Sequence, residues 1–125
     1  MPARIVLVHD DPEFLEHAST ALRLATYDVA TFPGSMEALR ALEGAETVEL
    51  LITRVQFPVG TPHGIALVRM ARQRRPRLKI IFTAREEMEE FTEDLGELIP
   101  HPVSIPDLVE TVNRLLDRSE PKSAA

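Results

Sequence analysis

Cysteine is absent from the 125-residue sequence, which excludes disulfides, thiolate nucleophiles and cysteine-ligated zinc. Tryptophan is absent as well, so no indole is available to flank a flavin. No glycine-rich turn follows the first apolar run to cradle a cofactor phosphate. No apolar run approaches the roughly 20 residues that cross a bilayer. The opening MPARIVLV has one arginine and too short an apolar stretch for a secretory signal. Basic charge is also in deficit. Lys and Arg total 14 against 20 Asp and Glu, a formal net charge of −6, and an acidic surface repels phosphate backbones. The expectation is a cytoplasmic chain with neither a nucleic acid nor a membrane as partner.

What is present is an alternation of short apolar runs with helix-like segments. Ile5–Val8 is continuously apolar, as a parallel strand buried on both faces requires. Asp11-Pro12 then reads as an N-cap with proline at the first helical position. Phe14, Leu15, Ala18, Ala21, Leu22 and Ala25 follow at helical spacing. Tyr27–Phe32 is the second strand, and Ser35 is expected to cap a short helix that Gly44 ends. Val48–Thr53 is the third strand. Phe57–Gly64, with two prolines and two glycines, is a loop. Ile65–Arg75 is a helix stopped by Pro76, and Leu78–Thr83 is the fourth strand. Arg85–Leu95 is expected to be an acidic helix with Met88, Phe91 and Leu95 on its apolar face. Glu97–Ile99 is a short fifth strand. Ser104 and Asp107 form a capping-box-like start to the last helix. Five βα units specify a parallel sheet covered by helices on both sides. They are expected to fill one domain over residues 1–118, with a flexible tail at 119–125 and no effector domain.

Two charge clusters stand out. Arg69, Arg72, Arg74, Arg75, Arg77 and Lys79 crowd one segment, and Glu86, Glu87, Glu89, Glu90, Glu93, Asp94 and Glu97 the next. The simplest reading is two solvated faces, since cations suit a helix C-terminus. The sharper one is a pair of docking faces, with the basic stretch RQRRPR open to an acidic partner or RNA. His9, His101 and His63 lie in or beside strand-end loops, but their separations match no metal-ligand spacing; a pH-sensitive pair is as good a reading. His17 is expected on the surface.

Four segments, in order and each at the end of an expected strand, carry a family likeness: VHDDPEFL, LLITRVQFP, IIFTAR and LIPHPVSIPDLVETV. The chain resembles the receiver domain of bacterial two-component response regulators over nearly its whole length. The resemblance implies a flavodoxin-like (βα)5 sandwich with a five-stranded parallel sheet in order 2-1-3-4-5. It also implies phosphorelay chemistry. In that family an aspartate at the end of strand three accepts a phosphoryl group, and two acidic residues after strand one help it to hold magnesium. A hydroxyl on strand four and a lysine from strand five contact the phosphoryl oxygens.

Placed on that pattern, the acidic pair falls on His9 and Asp10, with Asp11 next. The acceptor position is Arg54, the hydroxyl is Thr83 followed by Ala84, and the lysine position is His101. The aromatic switch position falls near Leu98. A guanidinium is no nucleophile, stays charged and repels a cation. The resemblance therefore implies a stand-alone, degenerate receiver with a lost magnesium site, no cofactor and no enzymatic activity, acting as a protein-interaction module. Arg54 is expected to fill the vacated ion site and pair with Asp10 or Asp11. The alternatives are an exposed Arg54, an anion- or pH-responsive site made with Thr83 and His101, and phosphorylation on Asp10 or Asp11 instead. The implied partner is a sensor kinase or output protein, or a second copy. It would dock on the helix 4–strand 5–helix 5 face through Glu86, Glu89, Glu90, Glu93 and Leu98.

Overall fold

The computed structural model describes residues 4–44, 47–57 and 63–116. The loop tip 58–62, the end of the domain at 117–118 and the expected tail 119–125 lie outside these. The strands are β1 (Arg4–Val8), β2 (Asp28–Phe32), β3 (Leu50–Arg54), β4 (Lys79–Ala84) and β5 (Glu97–Pro100). They form one parallel sheet in the order β2-β1-β3-β4-β5. The helices are α1 (Pro12–Leu24), α2 (Ser35–Leu42), α3 (Gly64–Arg74), α4 (Glu89–Thr92) and α5 (Ile105–Leu115).

Strand alternation divides the core in two. Val6, Val8, Leu51, Ile80 and Phe82 face Ala38, Leu42, Leu67, Val68 and Ala71 on α2 and α3. Ile5, Leu7, Leu50, Ile52, Ile81 and Ile99 face Ala18, Leu22, Leu108 and Val112 on α1 and α5. Both faces are covered, which is why the strands read as unbroken apolar runs.

The helix starts follow their sequence signals in two cases. Asp11 accepts from the Glu13 N–H at 3.0 Å, and Ser104 accepts from the Asp107 N–H at 3.3 Å. Ser35 does not cap α2: Gly34 is the N-cap, Ser35 is the first helical residue, and its buried hydroxyl has no partner. At the end of α1 the Thr26 N–H bonds Arg23 O and the Tyr27 N–H bonds Leu22 O. Thr26 sits at φ 73°, the left-handed residue that this closing motif demands.

The largest departure is the acidic segment. A continuous helix over Arg85–Leu95 does not form. Glu86–Met88 is a 3-10 turn, and α4 is a single turn ended where the Leu95 and Gly96 N–H groups both reach Thr92 O. Glutamates three and four apart repel along this stretch. Gly96 is also pressed against the β4 backbone, where an added Cβ would lie 2.5 Å from Ile80 O. The expected apolar face is broken accordingly: Met88 and Leu95 pack against the core, but Phe91 is 56% exposed.

The basic cluster is not a freely solvated helix end either. Arg72 donates to Leu78 O at 2.8 and 3.1 Å, and Arg75 donates to Leu42 O and Gly44 O, each at 2.9 Å. Arg74 reaches Glu43 O at 3.4 Å. These guanidiniums satisfy loop and helix-end carbonyls that would otherwise lack donors.

Candidate functional site

The site grows out of the strand pairing. Arg54 lies opposite Thr83, and Thr83 opposite Ile99. Val8 lies opposite Thr53, so His9 continues the register to Arg54. His101, two residues beyond Ile99, keeps its face, and its N–H bonds Ala84 O at 3.0 Å. Period-two alternation thus puts His9, Arg54 and Thr83 in one row, with His101 on the same face one step beyond it. The row sits just outside the core layer under α1 and α5, at the carboxyl ends of the strands, where open α/β sheets bind ligands. A depression of about 320 Å³ here is lined by His9, Asp11, Phe14, Arg54, His101 and Val103.

Arg54 does turn inward to a carboxylate. Its Nη1 donates to Asp10 Oδ1 at 2.7 Å. Asp11 is not the partner, because its carboxylate caps α1. The exposed alternative is excluded: the Arg54 side chain is half-buried, and its Nε is fully buried. Burial works against the Asp10 charge, but the Arg54 hydrogen bond and positive charge outweigh it and hold the carboxyl below its ordinary range.

His9 is a neutral structural group. Its Nδ1 accepts from the Asp11 N–H at 3.0 Å, and its ring lies 4.4 Å from that of Phe14. Burial, followed by the nearby Arg54 charge, lowers its pKa from 6.5 to about 4. The 3.7 Å approach to Asp10 is therefore no ion pair at neutral pH. His101 is shifted down by the same two causes in the same order.

The sign of the pH effect follows. Between pH 6.5 and about 4 the unfolded chain binds a proton at His9 and the folded chain does not, so stability is full above 6.5 and falls through that window. After discounting for solvent at the site's mouth, the loss is about 2 kcal/mol, with His101 adding in the same direction. Asp10 contributes only below its ordinary 3.8. Urea unfolding at pH 7 and pH 4.5 measures the loss, and His9→Asn is expected to flatten it. An unchanged slope in that variant would assign the pH dependence elsewhere.

Three buried atoms of this group have no hydrogen-bond partner: Arg54 Nε, Thr83 Oγ1 and His101 Nε2. His63 stands apart from His9 and His101. It caps α3, accepting from the Ala66 N–H, and lines a separate groove with Phe57, Met88 and Phe91. Among the described residues no group of three or more His, Asp or Glu side chains is placed to hold an ion. On the far side of the sheet Glu86, Glu89, Glu90 and Glu93 are exposed, while Leu98 is half-buried against the core. His17 is exposed, as expected.

The family model for the response regulator receiver domain matches residues 5–113. A CheY-like response regulator receiver domain protein from Methanospirillum hungatei is 27% identical over 98% of this chain and 100% of its own, with a TM-score of 0.83. The receiver domain from the hybrid histidine kinase CckA is 29% identical over 91% of this chain and 99% of its own, with a TM-score of 0.77. Chemotaxis protein CheY4 of Vibrio cholerae, 23% identical over 92% and 99%, has the same fold at a TM-score of 0.80.

Proposed function

The chain belongs to the response regulator receiver domain family, and we propose that within it this chain is a protein-interaction module whose signalling does not use the usual aspartyl phosphate. The single observation that carries this reading is the Arg54–Asp10 pair. A guanidinium occupies the acceptor position and holds, at 2.7 Å, the one carboxylate retained from the metal-binding pair. Magnesium takes six oxygen ligands in near-octahedral geometry. Here one of the positions that would hold the ion is an imidazole whose Nδ1 is already engaged, and another carries a guanidinium, which has no lone pair to offer. These residues do not fit the ion, and no step of the proposed function runs through it.

Partner docking is proposed on the α4–β5–α5 face. A groove of about 270 Å³ there is lined by Glu89, Thr92, Glu93, Gly96, Glu97 and Leu98, so a partner with a basic patch fits. Glu97 is already paired bidentately with Arg114 of α5 at 2.7 and 2.9 Å, which leaves Glu86, Glu89, Glu90 and Glu93 as the facing charges. The CckA receiver domain comes from a hybrid histidine kinase, which favours a kinase or output protein as the class of partner.

Incubation with acetyl phosphate and magnesium, followed by intact mass, tests the reading. The chain is expected to gain no phosphate. A gain that survives Arg54→Ala but not Asp10→Ala would place the acceptor on Asp10 and overturn the reading.

A further inference from the structure

We propose that the groove between the start of α3 and the Glu86–Thr92 segment docks a basic amphipathic peptide segment of a partner protein. Its apolar side chains sit between Phe57 and Phe91, and its cations meet Glu87 and Glu90. The groove is on the α3 side of α4, apart from the α4–β5–α5 face proposed above, so the inference does not rest on that reading.

The groove has a volume of about 590 Å³ and is walled by Gln56 and Phe57 after β3, His63 and Ile65 at the start of α3, and Met88 and Phe91. Ligand sites run from roughly 300 to 1,000 Å³ and are mostly apolar with a few polar groups. This groove has that make-up, and it originates in the break of the acidic segment. Because α4 is a single turn, Met88 stays packed on the core while Phe91 is left 56% exposed. A lone exposed apolar residue needs no explanation. Leu24 and Met36 are of that kind and do not line this groove. Phe91 differs because it stands with the half-buried Phe57, Ile65 and Met88 in one strip. Aromatic residues and methionine are the types enriched where proteins meet.

The charge around the strip selects the occupant. Glu86, Glu87, Glu89, Glu90, Glu93 and Asp94 are all exposed, and Glu87 and Glu90 directly precede Met88 and Phe91. Arg85 and, four residues past Ile65 on α3, Arg69 are exposed cations adjacent in sequence to the walls, too few to offset the carboxylates. The α4 wall is therefore acidic and disfavours an acidic or phosphorylated segment. A segment with apolar side chains on one face and Lys or Arg beside them satisfies both wall and strip. That is the helix-in-groove mode, with apolar anchors at i, i+3, i+4 and i+7. On the opposite wall His63 Nδ1 accepts from the Ala66 N–H at 3.4 Å, so Nε2 carries the ring proton and offers a donor to a carbonyl at the segment's end. A second copy is the poorer occupant. Each copy carries a net charge of −6, and its Arg72 and Arg75 are fastened to its own carbonyls.

The test uses the isotopically labelled full chain and a fluorescent synthetic peptide of about 18 residues, long enough to hold a helix. It carries leucines at i, i+3, i+4 and i+7, with lysines and alanines elsewhere. A scrambled peptide of equal charge, lacking the apolar face, is the control. Anisotropy is expected to show saturable binding of the first and at least tenfold weaker binding of the second, on the scale of one anchoring contact. Amide shifts are expected at Phe57, Ile65, Met88 and Phe91. Phe91→Ala is expected to weaken binding about tenfold, and Glu87→Lys severalfold with a shallower salt dependence. Both replace exposed side chains, so the melting temperature should hold; should either variant fail to fold, the shift map of the unmodified chain decides. Equal binding of the scrambled peptide would reduce the effect to adhesion of a polycation. Shifts centred on Thr92, Gly96 and Leu98 would put the peptide on the other side of α4. Groove shifts that appear without peptide as the chain is concentrated would make a second copy the occupant. Each of these overturns the proposal, and none bears on the acetyl phosphate mass measurement.

Discussion

With His9→Asp, Arg54→Asp and His101→Lys combined, the chain is expected to gain one phosphate from acetyl phosphate in the presence of magnesium, where the unmodified chain gains none. Three carboxylates at positions 9, 10 and 54 would then converge where one carboxylate and one guanidinium now neutralise each other. Like charges that close destabilise the fold, so the metal-free triple variant is expected to melt well below the parent. Magnesium should restore it: a ligand at a hundredfold its dissociation constant contributes about 2.7 kcal/mol. Arg54→Asp alone is expected to label weakly at best, because position 101 would still lack a permanent cation to meet the developing charge. Intact mass and melting curves with and without magnesium read both effects. A triple variant that binds the metal yet stays unlabelled would mean that other residues also close the pocket.

Gly64→Ala is expected to be the most damaging single substitution near the site. A Cβ at Gly64 would lie 1.9 Å from Arg54 O, 2.9 Å from Arg54 C and 3.1 Å from Val55 Cα. All three are backbone atoms of the strand end, and the Gly64 N–H also bonds Val55 O at 2.7 Å. The requirement is one of space: the first turn of α3 is seated directly on the end of β3. A clash with backbone cannot be relieved by a rotamer change, so the cost is about 3 kcal/mol or more. For a domain of this size that corresponds to a fall of roughly 10–20 °C in melting temperature. Thermal unfolding measures it. A loss of less than about 1 kcal/mol would mean that α3 slides outward freely.

The parts of this structure legible in the sequence are those written by periodicity and by local capping chemistry. Unbroken apolar runs at Ile5–Val8, Leu50–Ile52 and Ile80–Phe82 have no other home than a two-sided sheet, and Asp11-Pro12 could only open a helix. The group His9, Arg54, Thr83 and His101 is reachable from sequence because each residue lies at or just beyond the end of a strand, and the choice of Asp10 over Asp11 is not. Asp11 is drawn off by the α1 cap, a contest between two local uses of a carboxylate that spacing does not rank. Where the Arg85–Leu95 segment ends, Gly96 fits against Ile80, a contact distant in sequence. The end of α1 hides behind Thr26, where a left-handed residue is usually glycine. The unpartnered atoms of the pocket were invisible too, because pairing is a property of the assembled strands.

Arg72 and Arg75 have a consequence for how this molecule meets others. Their guanidiniums are fastened to the carbonyls of Leu78, Leu42 and Gly44, so a good part of the cationic segment serves as internal scaffolding. Removing those side chains would loosen a helix end and leave carbonyls without donors, and a weakened association in such variants would report on architecture before it reported on recognition.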